Sequence, residues 1–303
     1  RGEGDMKTAM YVLLVATVTN IILDPILIFG FWFIPPFGIQ GAAMATAAAD
    51  ILGTVWLFNH LLQKKNIIKP DLKRIHLKIK VVFAIYRVGL PVALQNLAMV
   101  ISFGFIARLV SSYSHYALAA AGIGTRLEML AIVPIIAVST SILTVVGQNY
   151  GAKNYQRVKL TAYAGSTINA FIGLIIGSSF FFFPEFFIRL FNGNDEILKV
   201  GVTFLKIFGF VYILSGVGIS LAHVFHGLGK GFISLTLTLT RVGLVGVPAA
   251  YFLSGYWGLN GIWLGMASGS FFAVLLAFIL TTNLFTKKLN VEKTEPLNLN
   301  SAG

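Results

Sequence analysis

The sequence predicts an all-α, polytopic membrane protein, on three observations. Of 303 residues, 56% are hydrophobic and 11% charged, whereas soluble domains carry roughly a quarter charged, and the mean hydropathy is +0.82. Apolar stretches of about 20 residues, the length a helix needs to cross a bilayer, recur along the chain. Runs such as Ile172–Phe183 and Phe271–Leu280 do not alternate apolar with polar residues, as the strands of a membrane barrel would. The net charge of +12 belongs to loops facing the cytoplasm rather than to a nucleic-acid surface. With no cysteine there is no disulfide framework, thiolate metal site or thiol nucleophile. Phosphate-loop, nucleophile-elbow and His-Glu-x-x-His motifs are missing, so neither ATP drive nor an enzyme is expected. No charged region leads into a short apolar stretch, and no signal peptide is expected.

Eight spans follow in order: Thr8–Phe33, Gln40–Leu62, Val88–Val110, Ala117–Val146, Leu160–Phe183, Leu198–Val224, Gly231–Leu253 and Leu259–Thr282. Their orientation follows from Lys and Arg, which stay on the cytoplasmic side. One set of connections carries Arg1 and Lys7, the eight basic residues from Lys64 to Arg87, then Lys153, Arg157 and Lys159, Lys230, and Lys287, Lys288 and Lys293. The opposite set carries Arg189 within an acidic loop. The sides alternate consistently, which puts both ends in the cytoplasm. The basic tract Gln63–Lys80 followed by Val81–Tyr86 reads as an amphipathic elbow on the inner leaflet, with an ordinary solvated loop as the alternative.

An internal repeat is visible. Gly38-Ile-Gln-Gly41 recurs as Gly258-Leu-Asn-Gly261, and Arg1-Gly2-Glu-Gly4-Asp5 echoes His226-Gly227-Leu-Gly229-Lys230. Each motif precedes a helix of matching direction, so the first two helices read as copies of the last two in a parallel repeat; a chance match of short glycine motifs is the alternative. Equivalent halves would require about four helices before the first, and about twelve in all, as six plus six. The expected organisation is residues 1–62 as the last two helices of a first lobe, 63–87 as a basic cytoplasmic linker, 88–282 as a six-helix second lobe, and 283–303 as a cytoplasmic tail.

Ionisable groups inside spans cost at least about 2.5–3.5 kcal/mol to insert and are functional candidates. Asp24 lies one turn after Asn20, on one helix face with Thr17. Pro25 lacks an N–H, which frees the carbonyl of Ile21. A carboxylate, an amide and a free carbonyl form an oxygen cage for Na⁺ or a protonatable site. Helical rise puts Asp24 about 14 Å below the outer end at Phe33, with Asp50 at the same depth and Thr46 one turn above it. The alternative for Asp24 is a bridge to neighbouring helices that never titrates. Asp50 is either a second titrating group or a polar contact, with Asn59 as one partner.

The remaining membrane charges are Arg126, Glu128, Lys206 and Arg241. A Glu128–Arg241 or Glu128–Lys206 bridge is one reading, and Glu128 as an anchor for a substrate cation is the other. Three cations against one acid argue against a purely cation-selecting pocket. His223 and His226, three apart at a helix end, suit capping better than metal binding, because no third ligand accompanies them. Phe180–Phe183 and Met129 read as packing or lipid-facing residues. Pro91, Pro134 and Pro248 are positions where spans can bend.

Several stretches resemble one family, the multidrug and toxic compound extrusion (MATE) transporters. They are Arg1-Gly2-x-Gly4-Asp5, Asn20-Ile-Ile-Leu-Asp24-Pro25, Gly38–Thr46, Val88-Gly-Leu-Pro91 and Gly147-Gln-Asn-Tyr-Gly151-Ala152. The likeness covers nearly the whole chain, matches the last eight of the family's twelve helices, and is closer to its DinF-like branch. It implies alternating access between two lobes, with H⁺ or Na⁺ entry driving export of small, amphipathic organic compounds. It further implies a monomer in the cell membrane, with no cofactor besides the coupling ion and no nucleic-acid partner. The family's first-lobe cation site carries over onto Asn20, Asp24 and Thr46. That site also uses an acidic residue on the family's first helix, which this sequence does not contain, and Asp50 stands where an amide would be expected. Some branches use a second-lobe pair, but this sequence has Met99 at one position and only Ser215, Ser220 and His223 around the other. No second cation site is expected. A lipid-linked oligosaccharide flippase of the same superfamily is the alternative function.

Overall fold

The computed structural model describes residues 5–62, 78–191 and 193–287, which form two compact units divided between Lys78 and Ile79. The first unit is a helical pair, α1 (Met6–Phe29) and α2 (Ile39–Leu61). Asp5 caps α1, its carboxylate accepting from the Thr8 amide at 3.0 Å, which satisfies one of the donors every helix start leaves open. The helix continues through Pro25 and stops at Phe29 rather than at the expected Phe33. Hydropathy misses this end because Gly30–Phe33 is apolar. The backbone decides it: Gly30 takes φ +79° and Trp32 φ +51°, and Phe31 and Ile34 exchange hydrogen bonds of 3.1 and 3.0 Å across a tight turn.

Along α2 the buried residues are Gly41, Ala45, Ala49 and Gly53, a stripe with a period of four. Small residues of this kind let membrane helices approach closely. A Cβ on Gly41 would collide with the Leu27 carbonyl, and Gly53 faces Val12 and Ala16.

The second unit holds α3 (Ile79–Ser111), α4 (His115–Gly151), α5 (Tyr155–Phe182), α6 (Pro184–Arg189), α7 (Asp195–Gly227), α8 (Gly231–Thr238), a π-helical stretch (Leu239–Gly246) and α9 (Val247–Lys287). Val81–Tyr86, expected as a separate elbow, forms the first turns of α3. Most of the basic tract before it (63–77) and the tail from residue 288 lie outside the described residues. The Gly147–Ala152 motif closes α4. Beyond it Lys153 takes φ +56°, and Asn154 caps α5 by accepting from the Arg157 amide at 3.2 Å.

The core lies where α4, α5 and α7 pack together. Gly177 of α5 and Gly209 of α7 face each other with no side chain between them, and a Cβ on either would meet the other's carbonyl. At the same seam Asn169, fully buried, donates to the Ile135 carbonyl at 3.1 Å and to the hydroxyls of Ser139 at 2.9 Å and Ser220 at 2.7 Å.

Seven described helical segments are long and apolar enough to cross a membrane, the last being 56 residues, Gly231–Thr286. At about 1.5 Å per residue it far exceeds a hydrocarbon core of about 30 Å. It folds back at Gly258, whose φ/ψ of 57°/−135° is non-helical, with Gly261 against Leu253, Gly265 against Ala250 and Gly269 against Gly246. This antiparallel hairpin restores the two spans expected here, and with them eight crossings. Gly38, the repeat partner of Gly258, has φ/ψ 56°/−131°. Gly41 and Gly261 likewise each back onto a carbonyl of the preceding helix. The repeated motif thus has one backbone shape in both places.

Candidate functional site

In the first unit, Asn20 on α1 stands between Asp24 and Thr46. Its amide nitrogen donates to Asp24 Oδ1 at 3.4 Å and to Thr46 Oγ1 at 3.3 Å, and the Thr46 hydroxyl in turn donates to the Ala42 carbonyl at 3.0 Å. The i to i+4 spacing on α1 sets the first contact, and the close approach of α2 along its small-residue stripe brings Thr46 to the second. Asn20 and Asp24 are half-buried. Among the described residues no Lys or Arg stands within the 4.0 Å of an ion pair with Asp24. One carboxylate oxygen, the Asn20 amide oxygen and the Ile21 carbonyl freed by Pro25 remain as acceptors, the donor set that hard cations prefer.

Asp50 is exposed and outside this cluster, and no hydrogen bond joins it to Asn59 among the described residues. The expected equality of depth fails because α1 ends early. Asp24 lies five residues, about 7.5 Å, before the end of α1, whereas Asp50 is eleven residues, about 16 Å, into α2. Thr46, at about 10 Å, is the residue that meets the α1 pair.

The second unit contains a cavity of about 420 Å³ lined by α3, α4, α7, the π-helical stretch and α9. Its walls include Met99, Phe103, Phe204, Phe208 and Trp263, and two charged side chains, Glu128 and Arg241. Both are half-buried. The bridge expected between Glu128 and Arg241 or Lys206 is not formed: among the described residues neither pair comes within 4.0 Å. Lys206 is exposed and does not line the cavity. Arg126, also exposed, lines a separate depression with Phe191. Of the three membrane cations, only Arg241 shares a space with Glu128.

Arg241 sits in the π-helical stretch, and its carbonyl packs where Gly246 and Gly269 carry no side chain. Such turns occur mostly as local interruptions of α-helices and often at functional sites. Hydropathy gives no sign of it, and the only sequence signal is the glycine spacing around Arg241. Of the two histidines, His223 Nδ1 pairs with the Ile219 carbonyl at 2.8 Å and His226 Nε2 lies 3.3 Å from Gln95 Nε2, so both are engaged within the protein. Phe180 is buried core, while Phe182, Phe183 and Met129 are exposed.

Eight apolar crossings among the described residues define a multi-pass helical membrane protein. Residues 91–252 match the MatE family, and the chain belongs to that family. It is 26% identical over 281 residues to a probable multidrug resistance protein, NorM, of Thermotoga maritima, covering 92% of this chain and 60% of that protein. It is 27% identical over 271 residues to an FAD transporter of Shewanella oneidensis, covering 88% and 59%. The crystal structure of MATE in the bent conformation superposes with a TM-score of 0.87 at 26% identity, covering 96% of this chain and 63% of that one. The chain therefore spans about three fifths of the length of these relatives.

Proposed function

We propose that the chain carries the coupling site of a cation-driven antiporter, in which H⁺ or Na⁺ binding at Asp24 powers export of small organic compounds by alternating access between two lobes. The observation that carries this reading is a half-buried carboxylate hydrogen-bonded to Asn20, beside Pro25, with no Lys or Arg neutralising it among the described residues. Such a carboxylate can exist with or without a bound positive charge. The cation shifts the equilibrium between outward- and inward-facing states only as far as it binds one state more tightly. The broken hydrogen-bond ladder at Pro25 is the element suited to respond. Asn20 orients the carboxylate and Thr46 helps hold Asn20; Asp50 stands apart. Retention of basic loops in the cytoplasm supports a chain threaded through the cell membrane with both ends inside. The multidrug and FAD transporters among its relatives support aromatic, amphipathic substrates. A flippase for pyrophosphate-linked lipids would want a wide cationic cavity, and a single Arg241 balanced by Glu128 makes that the weaker reading.

Dye efflux from cells carrying Asp24→Asn in the intact protein tests this. Cation-coupled export should vanish while the protein still inserts into the membrane. Efflux at the wild-type rate would remove Asp24 from the mechanism.

A further inference from the structure

We infer that the cavity of the second unit binds an aromatic zwitterion, with Arg241 holding the ligand's carboxylate and Glu128 its ammonium group. This deepens the transporter reading and rests on it for the ligand's fate, but the binding site itself is argued from the cavity alone.

Two opposite charges in an apolar cavity lower their energy most simply by closing on each other, because an unpaired charge in such surroundings is costly. Glu128 and Arg241 share the cavity and feel each other's charge across it, yet among the described residues they do not approach within 4.0 Å, and neither has a hydrogen-bond partner there. Each therefore keeps its hydrogen-bonding groups open to whatever enters between them. A ligand with one positive charge would satisfy Glu128 and meet repulsion from Arg241; a simple anion meets the reverse. Only a ligand of both signs matches the pair, and charge-assisted hydrogen bonds to a carboxylate favour the planar fork of Arg241.

The rest of the wall sets the ligand's body. Phe103, Phe204, Phe208 and Trp263 surround the space, with Trp263 edge-on to Phe204 at 4.9 Å between ring centres. Such rings accept flat, apolar molecules, and about 420 Å³ falls within the usual range for small-molecule sites. Trp263 is 2% exposed, and its indole N–H has no partner among the described residues. Buried donors normally find one, and a polar atom on the ligand would supply it. The backbone behind Arg241 is held by the close approach of its carbonyl to Gly246 and Gly269, so the guanidinium springs from a fixed base.

The test is binding to the intact protein in detergent, followed by Trp fluorescence and calorimetry. The probes are a rigid biphenyl with an aminomethyl group at one end and a carboxylic acid at the other, its methyl ester, which is only a cation, and its N-acetyl derivative, which is only an anion. The zwitterion should bind about tenfold or more tighter than either relative. Glu128→Gln should erase the advantage over the N-acetyl compound, and Arg241→Gln the advantage over the ester. If either singly charged probe matches the zwitterion on the wild-type protein, the inference falls, and that comparison stands even where a variant does not fold. It also falls if both folded variants keep the wild-type order. Asp24→Asn should keep the zwitterion preference while losing coupled export. Full export by that variant with the preference intact would overturn the coupling reading and leave this site standing.

Discussion

Asn20 donates to the carboxylate of Asp24 across one turn of α1 at 3.4 Å. The same nitrogen reaches the Thr46 hydroxyl of α2 at 3.3 Å, so a single amide links the acid to the neighbouring helix. Removing it leaves the carboxylate free to rotate and takes one oxygen from the proposed cage. Asn20→Ala should raise the cation concentration for half-maximal efflux in proteoliposomes by about tenfold, or about 1.4 kcal/mol. Thr46→Val should act more weakly, since that exposed hydroxyl already donates to Ala42. Asp50→Asn should leave the value unchanged; an effect as large as that of Asn20→Ala would place Asp50 back in the site.

The buried amide of Asn169 ties three helices through the Ile135 carbonyl, Ser139 and Ser220. Hydrogen bonds between membrane helices average about 0.6 kcal/mol, and leaving partners unpaired adds to the loss. Asn169→Ala should therefore destabilise the second unit by about 1–3 kcal/mol, with Ser139→Ala and Ser220→Ala each costing less. Thermal unfolding in detergent reads this directly. Equal midpoints for wild type and Asn169→Ala would show that the cluster contributes no stability.

The seam between α5 and α7 is closed by contact of Gly177 with Gly209. A side chain there must drive backbone against backbone, which cannot be relieved by rotating a neighbour. Gly177→Val should cost at least about 1–3 kcal/mol and lower the unfolding midpoint. Phe182→Ala, at an exposed position five residues on, should leave it nearly unchanged. A midpoint for Gly177→Val no lower than that of Phe182→Ala would contradict the contact.

The division between what was and was not legible in the sequence follows from the kind of information each feature needs. Spans and their number are written in local hydropathy, and the Gly38 and Gly258 motifs encode a backbone shape that a short pattern can announce. Asn20 and Asp24 were visible because i to i+4 spacing is itself a spatial statement, and Thr46 came from the family likeness. The end of α1 was hidden because Gly30–Phe33 is as apolar as the helix before it, and only a positive φ at Gly30 ends the helix. The open Glu128–Arg241 arrangement, the π-helical stretch and the Asn169 cluster depend on how three or more helices are rotated about their axes. Scattered Ser and Asn in apolar segments carry no periodicity that reports it.

Asp5 precedes the first span and holds the start of α1. The Thr8 hydroxyl and amide, and beyond them the charge of His60, hold its carboxyl below its ordinary range. A carboxylate with a depressed value in the folded state contributes stability above its unfolded value, and that contribution is lost as pH falls through the folded one. The stability difference between wild type and Asp5→Ala should thus be present at neutral pH and shrink below about pH 4. Unfolding followed at a series of pH values checks the sign; a difference that grew on acidification would reverse it.

Gly269 offers a way to move Arg241 without touching its charge. A Cβ there would strike the Arg241 carbonyl and crowd the Gly246 backbone, so even Gly269→Ala must push the π-helical stretch away from α9. Because that stretch carries Arg241 into the cavity, the displacement should weaken binding of the zwitterionic biphenyl by several-fold while leaving its methyl ester, which the guanidinium repels, bound no more weakly than before. A general loss of packing would lower both affinities together. Measuring the two ligands side by side therefore separates a repositioned Arg241 from a loosened core. Unchanged affinity for the zwitterion, with a normal unfolding midpoint, would mean that the π-helical stretch does not set the position of Arg241.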